Sequence, residues 1–222
     1  MMQTDAIATK DTPELRSADA LLLDFLSPGL VHSLGNQLFA IQGSAHVLGA
    51  SRQTGRLRET ILEACLKAEH ALDALRHAGP SDGDPPRQEQ AGLLLMRMAD
   101  VCRVPLRERG VRLAVEHSSK DSPRRVDART LCRAVAEILR CVAAEVPACF
   151  AGELHLDLCE QERARVGIQL HLRTDPGCLP FPIGLSAARA RSAGVLEPLG
   201  VRVEIGDDDR MRISVPAATR AL

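Results

Sequence analysis

Residues 30–48 carry apolar side chains at a spacing that suits a helix and little else. Leu30, Leu34, Leu38, Ile41, Ala45 and Leu48 stand 4, 4, 3, 4 and 3 residues apart, the stripe of an amphipathic helix packed in a bundle. A second stripe, Leu57, Ile61, Ala64, Cys65, Ala68, Leu72 and Leu75, keeps the same spacing along a helix expected from about Arg56 to His77. The link between them, Ser51 to Gly55, is short and polar, so the two helices are expected to form an antiparallel hairpin. Residues from about Pro13 to Gly49 should form one long helix or two abutting ones. Ser27-Pro28-Gly29 in the middle reads as a kink or a break, with Ser27 capping and Pro28 in the first turn of a new segment. One hairpin with a stripe on each helix cannot cover both. Two copies paired about a twofold axis make a four-helix bundle, so a homodimer is expected.

The pattern changes after the hairpin. Gly79-Pro80-Ser81-Asp82-Gly83-Asp84-Pro85-Pro86 consists of turn formers and charges and reads as a linker over 80–90. Beyond it, helical and strand patterns mix. A helix is expected over Leu93–Arg107, a strand over Val111–Val115, and a helix capped by Asp127 from Ala128 to about Glu145. Strands Glu153–Cys159 and Val166–Leu172 follow, then a loop holding Asp175-Pro176-Gly177 and a short helix from about Gly184 to Ala193. Strands Val201–Ile205 and Met211–Val215 close the chain around the turn-like Gly206-Asp207-Asp208-Asp209. The fold class is α+β: a tail over 1–20, a helical hairpin over 21–79, the linker over 80–90 and an α/β sandwich over 91–218.

His32 is the candidate reactive residue. It lies two positions from Leu30 and two from Leu34, so at about 100° per residue it points roughly 200° away from the stripe. Asn36 stands one turn further along the same face. A neutral imidazole on a rigid, water-facing helix has a lone pair that can take up and release a phosphoryl group. Without its context His32 would read as an ordinary surface histidine. His46 reads that way, and Asp207–Asp209 reads as a solvated turn, not a metal site.

Composition removes several alternatives. With 28 basic and 29 acidic residues the net charge is −1, and there is no Trp or Tyr. The chain therefore lacks both the basic stripe and the stacking residues of a nucleic-acid binder. The seven cysteines (Cys65, Cys102, Cys132, Cys141, Cys149, Cys159, Cys178) form no C-x-x-C pair, and most fall on apolar faces. That usage implies a reducing, cytoplasmic setting. No apolar run approaches the roughly 20 residues of a membrane span. The polar, acidic start (Gln3, Thr4, Asp5, Asp11, Glu14) is not a signal peptide, so no membrane partner is expected.

The stretch Leu30-Val31-His32-Ser33-Leu34-Gly35-Asn36-Gln37-Leu38 resembles the phosphoacceptor box of two-component histidine kinases, in the subclass reading His-(Asp/Glu)-Leu-x-Asn-x-Leu. The second half resembles the family's ATP-binding (Bergerat) domain. The helix from Leu131 through Glu137 and Cys141 to Pro147 lines up with the N-box helix. Arg173-Thr-Asp175-Pro-Gly177-Cys-Leu-Pro180 is similar to the Asp-x-Gly-x-Gly adenine-binding turn. Pro182-Ile-Gly184-Leu-Ser186 is similar to the Gly-Leu-Gly-Leu stretch opening the next helix. The order of the four motifs carries the resemblance, which covers nearly the whole chain after about residue 20.

That resemblance also defines what is missing. At the N-box position whose amide ligates Mg²⁺ in the family stands Cys141, a soft ligand for a hard cation. Glu137 replaces the first Asn and is expected to be a neutral surface position. The second Gly of the adenine turn is absent, although Asp175 could still meet an adenine amino group. Of the glycine-rich ATP lid only about Cys178 to Ile183 remains, stiffened by Pro180 and Pro182. Ser33 stands where kinases carry the acid–base partner of the histidine. Glu137, Cys141, Asp175, Gly177 and Gly184 are therefore read as remnants, and neither ATP nor a resident metal is expected as a cofactor.

The implied function is that of a dimeric histidine phosphotransferase. It would relay a phosphoryl group between His32 and the Asp of a response-regulator receiver domain, with Asn36 assisting and the receiver supplying carboxylate and Mg²⁺. The alternatives are a sensor kinase or phosphatase of the same family, and a non-catalytic dimeric scaffold that docks a receiver.

Overall fold

The computed structural model describes residues 13–48, 54–79, 85–116, 123–147, 150–160, 164–174, 182–206 and 210–217. Asp175, Gly177 and Asp207–Asp209 lie outside the described residues, as do the middles of the hairpin link and of the linker.

Helices α1 (Pro13–Leu48) and α2 (Thr54–Ala78) form the hairpin. Of the kink or break expected at Ser27-Pro28-Gly29, the break does not occur, because α1 runs through Pro28 without interruption. Ser27 is not an N-cap either: its hydroxyl donates to the Leu23 carbonyl at 2.7 Å, a back-bond inside the helix. An interior proline costs about 3 kcal/mol. Leu22, Leu26 and Leu30 bracket it and are 2%, 0% and 6% exposed. At about 1.5–3 kcal/mol each, their burial on one continuous face outweighs the proline penalty.

The α/β body follows the expected α+β order. Helix α3 (Ala91–Arg107) leads to β2 (Val111–Val115), α4 (Ala128–Glu145), β4 (Gly152–Glu160), β5 (Arg165–Thr174), α5 (Pro182–Leu196), β6 (Arg202–Ile205) and β7 (Met211–Pro216). The five-stranded sheet has order β2-β4-β5-β7-β6, with β2 parallel to β4 and the other pairs antiparallel. Alternation gives it one buried face: Leu154, Leu156, Ile168, Leu170, Ile213 and Val215 are at most 1% exposed. Asp127 caps α4 as expected, its Oδ1 accepting from the Thr130 backbone N–H at 2.8 Å. The end of the expected linker is not free chain. Gln88–Gln90 forms β1, which pairs antiparallel with β3 (Arg125–Asp127) and so holds residues 88–90 against the entry to α4.

The hairpin does not stand apart from the body. Leu22, Leu26, Leu30, Ala71, Ala74 and Ala78 belong to the same apolar cluster as the inner faces of α3, α4 and the sheet. Contact between α1 and α3 depends on Gly29, where a Cβ would lie 1.7 Å from the Val101 carbonyl oxygen. Gly29→Ala should therefore push α1 off α3 and cost about 1–3 kcal/mol in urea unfolding. An unchanged midpoint would mean that the helices do not approach this closely.

Candidate functional site

Gly29 also decides what surrounds His32, which lies one helical turn further on. His32 is exposed, but it does not face open water as the helical wheel alone suggests. It borders a cleft of about 250 Å³, walled by Lys67 and His70 of α2 and by Arg97 and Asp100 of α3. On its other side it shares a groove with Arg103, Val104 and Arg107 of α3. The correction is one of surroundings. The stripe rule gives the direction of the imidazole on α1, and close packing on α3 puts a second helix beside it.

Asn36, one turn along, reaches back to His32. Its side-chain amide donates to His32 Nε2 at 3.0 Å. Nδ2 carries no lone pair to accept with, so Nε2 is the acceptor and the ring proton of the neutral form sits on Nδ1. The lone pair of the neutral ring is thus on Nε2, where the Asn36 amide holds it.

Basic groups dominate the walls, although most have acidic neighbours. Lys67 pairs with Glu63 at 2.6 Å, Arg97 with Glu89 at 2.8 Å, and Arg103 with Asp100. Hydrogen bonding to Lys67 draws the Glu63 carboxyl below its usual range. Such surface pairs contribute little to stability. Ser33 lies next to His32 in the same cleft and offers a hydroxyl, not a carboxylate.

The α3 wall was not read from the sequence. Its signal is the polar stripe Arg97, Asp100, Arg103, Arg107 at spacings of 3, 3 and 4. That stripe marks an exposed helix face without saying what stands opposite.

Glu137 and Cys141, read from the sequence as nucleotide-site remnants, have partners of their own. Glu137 is not a surface residue: it is 1% exposed. Both its oxygens accept from Arg140, Oε2 from Nε at 2.9 Å and Oε1 from Nη2 at 2.6 Å. The Cys141 thiol points at the same carboxylate, 3.5 Å from Oε1. Burial first, and the Glu137 charge second, push that thiol up to about 12. Mg²⁺ needs hard, available oxygen donors. A protonated thiol and a carboxylate committed to a guanidinium do not fit Mg²⁺–nucleotide.

Gly184 lies near the start of α5, which packs directly along α4. Ala188 and Ser192 of α5 are both 0% exposed, and Arg191 pairs with Glu145 of α4 at 2.5 Å. Among the described residues no group of three or more His, Cys, Asp or Glu is placed to hold a metal ion. No helix among them is long and apolar enough to cross a membrane.

No family model matches the chain, and no curated protein matches it. Among solved structures it is similar to a bacterial phosphotransferase, at 17% identity and a TM-score of 0.40 over 93% of this chain and 98% of that one. It is similar to full-length ShkA, solved in complex with AMPPNP, at 19% identity and a TM-score of 0.43 over 95% of this chain and 47% of that one. It is also similar to the histidine kinase ThkA, solved in complex with the response regulator protein TrrA, at 14% identity and a TM-score of 0.39 over 94% and 68%. The structures it resembles are thus those of histidine kinases and of a phosphotransferase.

Proposed function

We propose that this chain is a two-component phosphotransferase that passes a phosphoryl group between His32 and the aspartate of a response-regulator receiver domain, without using ATP. The observation that carries the reading is the Asn36 amide on His32 Nε2 at 3.0 Å, within a cleft whose walls include Lys67 and Arg97.

In the transfer step Asn36 releases Nε2, whose lone pair attacks the phosphorus of the receiver's acyl phosphate. The N–P bond forms, the acyl O–P bond breaks, and the receiver's aspartate leaves as a carboxylate. The Nδ1 proton stays on the ring, and the freed Asn36 amide can donate to a phosphoryl oxygen. Reversal returns the group to a second receiver. No base is needed to deprotonate the neutral imidazole at Nε2, which suits Ser33. The receiver supplies its own Mg²⁺, which suits the committed Glu137–Arg140 pair.

The direct test is incubation with a receiver protein charged by acetyl phosphate, followed by a search for acid-labile label on His32. ATP–Mg²⁺ at millimolar concentration should give no calorimetric signal of binding. Micromolar affinity would instead favour a kinase.

The same reading makes the protein a homodimer in the cytoplasm. Val31, Leu38, Phe39 and Val47 of α1 are 72%, 64%, 78% and 49% exposed, and Leu62, Leu66 and Leu72 of α2 are 53%, 54% and 50% exposed. So many large apolar groups on one hairpin call for a cover, and a second hairpin supplies it. Leu38→Asp and Leu66→Asp should each convert a sedimenting dimer into a folded monomer. A parent protein that sediments as a stable monomer would remove the four-helix bundle.

A further inference from the structure

A second cavity lies where the end of α2, residues 85–87 and the start of α4 meet. It measures about 150 Å³ and is lined by Arg76 and His77 of α2, Pro85, Arg87, and Asp127 and Arg129 at the entry to α4. It shares no described lining residue with the cleft beside His32.

Its polar groups are unusual in being unsatisfied. His77 is 5% exposed, yet neither ring nitrogen has a hydrogen-bond partner among the described residues. Asp127 uses Oδ1 to accept from the Thr130 backbone and hydroxyl at 2.8 and 2.7 Å, while its buried Oδ2 has no described partner. Arg76 pairs with Asp73 at 3.2 Å. Arg87 and Arg129 form no ion pair with a described residue. Buried polar groups in native proteins nearly always find partners, so these mark a place built for something else.

The lining sets the chemistry of the guest. Three arginines and one carboxylate line the cavity; with Arg76 paired to Asp73, Arg87 and Arg129 still exceed Asp127 in charge, an excess that calls for an anion, and the planar forks of guanidinium groups match the oxygens of a phosphate. Burial is the main cause that lowers the His77 pKa. Glu89 and Asp73 work against that shift, and Arg87 and Arg129 reinforce it. A neutral His77 offers one N–H and one lone pair. The unpaired Asp127 Oδ2 is an acceptor and would repel a bare oxyanion, so the guest must also donate. A phosphate that retains a proton does both: its P–O⁻ oxygens accept from the arginines and its P–OH donates to Asp127 or His77. The cavity is well above the roughly 10–15 Å³ that one water needs.

We propose that this cavity binds a protonated phosphate group, either inorganic phosphate or the terminal phosphoryl group of a small molecule, and that it thereby ties the hairpin to the α/β body.

The test is a titration of the full chain with sodium phosphate, sodium sulfate and a sugar phosphate at constant ionic strength and a pH of about 6, where a phosphate monoester still keeps its proton on a large share of molecules, followed by the His77 ring ¹⁵N shifts and by the melting temperature. Phosphate should give a saturable response at millimolar concentration or below. Sulfate, which carries no proton at this pH, should bind at least tenfold more weakly. Arg129→Gln and the exposed-site variant Arg87→Gln should each weaken phosphate at least tenfold with unchanged circular dichroism. A matching response to the sugar phosphate assigns the site to phosphoryl groups on small molecules, and a response to inorganic phosphate alone assigns it to the free ion. No saturable response, equal responses to sulfate and phosphate, or equal responses in the parent and both arginine variants would overturn the proposal.

Discussion

His32→Gln should abolish phosphoryl uptake from a charged receiver while leaving the fold and self-association within about 0.5 kcal/mol of the parent. The imidazole is exposed, and its one described hydrogen bond is to the Asn36 amide, so glutamine costs the fold little. The chemistry is different, because glutamine has no lone pair nucleophilic enough to displace an acyl phosphate. On the proposed reading receiver docking should persist, since its energy would come from apolar contacts around the helix face and not from one ring. Label transfer followed on gels, with docking measured separately by calorimetry, separates these readouts. Acid-labile phosphate on the glutamine variant would place the acceptor elsewhere. Failure of both proteins to take label while docking persisted would make the chain a scaffold that presents or blocks a receiver.

Arg140→Ala should be the most damaging single change to the fold. It strands the Glu137 carboxylate, 1% exposed, without the guanidinium that now binds both its oxygens. Breaking a buried pair from one side costs about 3–5 kcal/mol, whereas replacing both members by apolar groups of similar volume is often nearly neutral. Urea unfolding should therefore show a large loss for Arg140→Ala and recovery towards the parent in Glu137→Met/Arg140→Leu. A single variant that melts with the parent would mean that the pair is not buried.

What could be read from the chain depended on how local its cause is. Asp127 as the cap of α4 rests on four consecutive residues, and the structure has it as expected. The α+β order and the main strands follow from alternation and turn residues, which are also local. Whether α1 is one helix or two abutting ones at Pro28 could not be decided from the sequence, because Leu22, Leu26 and Leu30 stabilise the single helix only when the body is there to bury them. β1 and β3 span three residues each and pair across more than thirty positions of sequence, too short and too distant to leave a pattern. Within the site, the stripe rule placed His32 and Asn36 on one face of α1, and the structure adds their hydrogen bond. The α3 wall depends on Gly29 meeting Val101, a contact between segments some seventy residues apart. Glu137 misled because a charged residue reads as exposed until its neighbour on the next turn, Arg140, is seen to enclose it.

The apolar cluster that runs from Leu22, Leu26 and Leu30 through α3 to the sheet also bears on cooperativity. Two units with separate cores melt independently, and one can swing while the other stays intact. Here the base of the hairpin and the α/β body draw on the same buried side chains, so neither can loosen without exposing the other. The helix that carries His32 is thus braced by the packing of the whole sheet, and its exposed face is assembled before any partner arrives.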